Sequence, residues 1–174
     1  MNLTSPTPPP GADGLRLRPP RYRVDRRAIA WWTGRALLWA APPAVALAVT
    51  AVFAEPARSW LWPAAAGAAV LGAAYTLVMP QWRYRVHRWE TTDDAVYTAA
   101  GWLWQEWRVA PMSRIQSVDT TRGPLQRLFG LSTVTVTTAS AAGALAIGGL
   151  DHERAAALAD RLTATTQATP GDAT

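Results

Sequence analysis

The chain contains no cysteine, no lysine and only two histidines, His87 and His152. Without thiols there are no disulfides and no thiolate-held metals. Two histidines leave little material for a zinc site or a Ser-His-Asp triad, and no cofactor is expected. All 17 basic residues are arginine, and against 12 acidic ones they leave a net charge of +5. Such a balance ordinarily raises nucleic acid as a partner. Here the arginines are not interleaved with aromatics as a nucleic-acid surface requires, so no nucleic-acid partner is expected.

Charge is absent from two long stretches. Residues 36–54, ALLWAAPPAVALAVTAVFA, are nineteen positions without a charged side chain, and residues 59–82, SWLWPAAAGAAVLGAAYTLVMPQW, are twenty-four more. At about 1.5 Å per helical residue they reach roughly 28 and 36 Å, enough to cross a hydrocarbon core of about 30 Å. The four-residue connection EPAR forces a tight antiparallel hairpin. Neither run has the polar stripe of a surface helix. A buried hairpin inside a soluble domain would need far more chain to cover it, and a signal sequence would need a shorter apolar region nearer the start. Two transmembrane helices are therefore expected, at 36–54 and 59–82.

Arginine placement orients them. Arg16, Arg18, Arg21, Arg23, Arg26, Arg27 and Arg35 precede the first run, Arg58 alone lies in the connection, and Arg83, Arg85 and Arg88 follow the second. The excess of positive charge on the inner side puts both termini in the cytoplasm, in a two-span protein of the plasma membrane. Trp31, Trp32, Trp60, Trp62 and Trp82 fall at the run ends, where indoles favour the headgroup level. Pro42-Pro43 should kink the first helix. Residues 1–20, with six prolines, read as a disordered tail. Residues 21–35 read as a basic juxtamembrane segment lying on anionic headgroups, and 163–174 as a second flexible tail.

The remaining residues, 83–162, are the soluble part. WRYRVHRW alternates as a strand would, with Trp82, Tyr84 and Val86 on one face and Arg83, Arg85 and His87 on the other. ETTDDA supplies a turn, AVYTAA a return strand ending at Gly101, and WLWQEWRV a third strand stopped by Pro111. RIQSVDTT alternates less cleanly; STVTVTTA is the clearest strand, and ALAIGGL one more. In DHERAAALADRL, Asp151 can cap a helix whose stripe is Leu158, Ala159 and Leu162. In GPLQRLFGL, Leu125, Leu128 and Phe129 stand at helical spacing and Gly130 offers a left-handed stop, giving one helical turn whose apolar side plugs the barrel. About six antiparallel strands and a closing helix make a small barrel or sandwich.

The Arg-flanked hairpin, the TTDDAVYTAAGWL turn, the APMSRIQSVDTTRGPLQRLFGLSTVTVTTA core and the helix after GGLDHERAA together resemble the bacterial PH-like, YdbS-like membrane-flanked family. The likeness covers residues 16–162, most specifically Pro111 to Ala139. It implies a two-helix transmembrane hairpin followed by a small mainly-β PH-like barrel with a C-terminal α-helix, held at the inner face of the membrane. It implies no particular activity.

Reactive groups are sparse. Asp93-Asp94 are adjacent in a turn and point apart; His87 reads as an exposed side chain at the membrane boundary; His152 has no converging neighbour. Gly148-Gly149 lacks the Lys, Ser or Thr of a phosphate loop. No catalysis is expected. Candidate contacts for an anion or a partner are Arg83, Arg85, Arg88, Arg114, Arg122 and Arg127, against the plainer reading of solvated side chains bonded to carbonyls or to Asp119. Beyond the lipid bilayer itself, the leading expectation is a scaffolding module that binds a protein partner, either a second copy or another PH-like membrane protein. Alternatives are sensing of anionic lipid headgroups and service as an accessory subunit of a transport or secretion complex.

Overall fold

The computed structural model describes residues 20–139 and 143–168; residues 1–19 of the first expected tail and 169–174 of the second fall outside them. Two long helices, α1 (Arg27–Phe53) and α2 (Arg58–Val86), are joined by a single 3-10 turn, Glu55–Ala57. Arg58 reaches back to donate from Nε and Nη2 to the carbonyls of Ala51 and Val52, satisfying the end of α1. The helices pack along their length, with Ala40 against Gly72, where an added Cβ would stand 3.1 Å from that of Ala40. Only 11% of each apolar window is buried. A core helix of a soluble domain would be mostly covered, so this surface is suited to lipid.

Among the described residues the β-domain has seven strands: β1 (Tyr22–Arg23), β2 (Arg88–Thr91), β3 (Ala95–Gly101), β4 (Gln105–Pro111), β5 (Ile115–Thr121), β6 (Leu131–Thr138) and β7 (Leu145–Asp151). They form two antiparallel sheets in the orders β1-β2-β3-β4 and β5-β6-β7. The one-turn α3 (Pro124–Leu128) links β5 to β6, and α4 (His152–Ala168) closes the domain. Alternation along β6 buries Val134 and Val136. These meet Val96, Met112, Ile147 and the stripe Ala155, Leu158 and Leu162 of α4 in one aliphatic core. Asp151 Oδ1 accepts from the backbone N–H groups of Glu153 and Arg154, the expected cap.

Three boundaries differ from the sequence reading. The first helix begins nine residues earlier than position 36, so most of the expected juxtamembrane segment is helical. Its first turns belong to the β-domain: Val24, Ala28, Trp32 and Leu131 form a second buried cluster, joined by Trp31, Tyr84, Trp89 and Phe129. Trp32 is 1% exposed, so it anchors the helix inside protein and not at the headgroups. Second, Arg83–Val86 are the last turn of α2 and not a strand. Met79, Arg83 and His87 recur every four residues, and tertiary contact with α1 favours that helical face over the two-residue alternation. Third, α4 continues through Ala168, into the stretch expected to be flexible.

A bulge fits α1 to the domain. Ser132 pairs with Leu150 and Thr133 with Gly148, leaving Gly149 as the extra residue at φ +85°. Its carbonyl accepts from the N–H of Asp25, and a Cβ there would lie 2.8 Å from that of Ala28. Glycine is needed both for the backbone conformation and for the close approach. Beside it, the Arg27 guanidinium bridges the carboxylates of Asp25 and Asp151, holding both below the usual carboxylate range.

Candidate functional site

Along one side of the domain the two sheets do not join. β4 ends the first sheet and β7 the second, and the gap between them is crossed by Arg108, whose Nη1 donates to the Ala144 carbonyl at 2.8 Å. The same guanidinium pairs with Glu106 at 2.7 Å. On one side of this bridge a cleft of about 330 Å³ is lined by Trp107, Val109, Thr138 and Leu145. On the other a cavity of similar volume, about 330 Å³, has walls from Trp31 and Trp32 of α1, Arg83 and His87 at the end of α2, and Thr98 and Thr133 of the sheets.

Three residues in the wall of the second cavity carry unusual buried polar atoms. Trp32 Nε1, Arg83 Nε and His87 Nδ1 are buried without a hydrogen-bond partner, three of the five such atoms among the described residues. Arg83 is half-buried with its guanidinium 4.8 Å from the Trp32 ring centre, a cation–π stack. His87, 6% exposed, meets Trp32 edge-on at 5.2 Å between ring centres. Burial, aided by the Arg83 charge, lowers its pKa to about 4, so the ring is neutral near pH 7. The expectation of an exposed interfacial histidine is thus corrected: helical spacing carries the side chain inward beneath Trp32.

Arg83 also faces a third cavity, of about 260 Å³, that runs along the helices between Arg35, Trp39, Tyr75 and Met79. Next to it the β3–β4 turn projects Trp102, Leu103 and Trp104. Gly101, at φ +118°, makes the turn possible, since a Cβ there would lie 1.8 Å from the Trp104 carbonyl oxygen. Trp102 packs edge-on against Tyr75 of α2 at 5.7 Å, while Leu103 and Trp104 are 69% and 88% exposed. The β-domain therefore lays an apolar finger against a helix built for lipid.

Of the six candidate arginines, Arg83 alone lines these cavities. Arg85 is exposed on the last turn of α2, and Arg88 is half-buried on β2. Arg114 is exposed ahead of β5, whose seven residues separate it from Arg122 by roughly 23 Å. Arg122 donates from Nε to the Leu131 carbonyl at 3.2 Å, a structural bond. Arg127 is exposed on α3. Asp119 accepts from Ser117. The turn at α3 forms as expected, with Gly130 at φ +66°, but its inward group is Gln126. That side chain accepts from the Gly123 N–H at 2.9 Å and donates to Thr133 Oγ1 at 2.7 Å, while Leu128 is 75% exposed. Of the expected apolar plug, Phe129 packs against the helix-root cluster and Leu125 is half-buried, but Leu128 faces out and Gln126 takes the innermost place. Sequence reasoning missed Arg108 and Glu106, whose i, i+2 spacing on a strand puts them on one face.

Helical hairpin, seven strands in two sheets and closing helix are the parts of a membrane-attached PH-like protein, and the bacterial PH domain family matches residues 27–166. The chain belongs to that family. UPF0699 transmembrane protein YdbS of Bacillus subtilis (strain 168) is 31% identical over 110 residues, which cover 59% of this chain and 68% of that protein. No solved structure matches. The family match starts where α1 starts, so both helices are inside it. This bacterial PH-like protein is a membrane protein.

Proposed function

We propose that the protein is a non-catalytic interaction module, held on the cytoplasmic face by its helical hairpin, that docks a protein partner along the open edge of β4. The observation that carries this reading is the unpaired strand itself. β4 has a sheet neighbour on one side only, and Gln105, Glu106 and Trp107 are exposed along it. An extended segment added there would continue the sheet at its edge strand and lay side chains into the Trp107–Leu145 cleft. A second copy, or another membrane-flanked PH-like protein, can supply such a segment. The non-catalytic reading is supported by the residues that line the clefts: Arg108 and Glu106 neutralise one another, and Asp93 and Asp94 stay in an exposed turn.

The cytoplasmic placement rests on charge. Arginines cluster before α1 and at the end of α2, while Arg58 in the connection is occupied in capping α1. A photo-crosslinking residue at Gln105, in membranes of the native host, should yield one discrete adduct. The same residue at Asp119, exposed on the other sheet, should yield none. Equal labelling from both positions, or none from Gln105, would refute the edge as the docking surface.

A further inference from the structure

Three buried donors or potential donors without partners converge where the helices enter the domain, and such groups in a native fold call for an explanation. Trp32 Nε1 and Arg83 Nε can only donate; His87 Nδ1 donates in one of its neutral tautomers. Among the described residues no carboxylate pairs with Arg83, and the cation Arg35 stands on the same cavity along the helices. Glu106, the acid in the cavity wall, is taken by Arg108, so the half-buried Arg83 guanidinium has a like charge beside it and no acid of its own, which leaves the site short of an anion.

We infer that this cavity binds the phosphoryl group of an anionic membrane phospholipid. Phosphate suits Arg83, because a guanidinium fork matches its oxygens and each N–H to a charged oxygen is stronger than a neutral bond. The cavity on the domain side offers room for a headgroup, with the Thr98 and Thr133 side chains and the Arg108–Glu106 pair around it. Arg83 and Trp32 are also walls of the cavity along the helices, beside Arg35, Trp39 and Tyr75. One molecule can therefore place its phosphate at Arg83, its headgroup inward and its chains along an apolar helix face. The Trp102–Tyr75 contact and the exposed Leu103 and Trp104 put the mouth of the site at the lipid boundary. This ligand is distinct from a partner at the β4 edge, and either can be absent without the other.

The test uses the full-length protein in a mild detergent, with native mass spectrometry after addition of phosphatidylglycerol or phosphatidylcholine. Arg83→Gln should reduce phosphatidylglycerol retention about tenfold or more, the loss expected for a charge-assisted contact. Arg85→Gln, two residues along the helix and exposed, should retain it as the parent does. Because Arg83→Gln removes a buried stack, Ala100→Glu is the second variant: it brings a carboxylate to a half-exposed wall of the cavity and should also expel the lipid. Equal retention of both lipids by the parent, or undiminished retention by Arg83→Gln and Ala100→Glu, overturns the assignment. So does inorganic phosphate raising the unfolding temperature as much as phosphatidylglycerol, which would mark a soluble anion as the ligand.

Discussion

The domain has two buried clusters of different character. The one between the sheets and α4 is aliphatic, built from Val96, Val134, Val136, Ile147, Leu158 and Leu162. The one at the helix root is aromatic and partly polar, with Trp31, Trp32, Tyr84, Trp89 and Phe129 around Val24, Ala28 and Leu131. Close-packed aliphatic side chains leave no polar atom in need of a partner and so specify the fold. The root cluster holds Arg83 and His87 within the same packing, which a purely structural core would avoid. The difference separates the part that makes the domain from the part that roots the helices in it and lines the cavity.

Four perturbations sharpen this contrast, from the largest effect to the smallest. Leu162→Ala empties a fully buried position of the aliphatic core and should destabilise the domain by about 2–5 kcal/mol, seen as a lower thermal midpoint in detergent. The root cluster should instead respond to acid. His87 is held at a pKa of about 4, below its ordinary 6.5, so the unfolded chain binds its proton first as pH falls. Its contribution is intact above pH 6.5 and is lost progressively from there toward pH 4, by up to about 3 kcal/mol. His87→Gln should flatten that slope; an unchanged pH profile would mean that the ring is not buried. Gln126→Ala should cost about 1–2 kcal/mol, by leaving the Gly123 N–H and Thr133 short of a partner. Smallest is Arg27→Gln, whose half-exposed ion pairs add little to stability. It should still raise amide exchange in the first turn of α4, where Asp151 is the shared acid.

The two clusters were also unequally legible. The aliphatic one follows from local pattern: strict alternation in STVTVTTA, an Asp cap and a Leu158–Leu162 stripe each declare their own face. The hairpin was equally plain, because nineteen and twenty-four uncharged positions have few other uses. The root cluster depends on contacts between distant segments. Trp32 meets His87 across fifty-five positions, and Tyr22 pairs with Trp89 across sixty-seven. Trp31 and Trp32 fit the pattern of a headgroup belt as well as that of a core, so position alone could not choose. Residues 82–87 alternate in polarity yet the helix continues through Val86, since a stretch so short satisfies both periods. Of the site, Arg83 was named from its place beside a span; its unpartnered state, and the cavity it lines, exist only once α1, α2 and the sheets are assembled.

The account turns on the helices being rooted rigidly in the PH-like domain, so that its cavity is held at the membrane surface. With no native cysteine, labels can be attached cleanly at two introduced ones, Ala48→Cys on α1 and Asp119→Cys on β5. Pulsed electron spin resonance in lipid nanodiscs then reads the distance between helix and sheet directly. A single narrow distribution is predicted. A broad one, spread over tens of ångströms, would show a domain swinging on a hinge and would contradict the rooted helix.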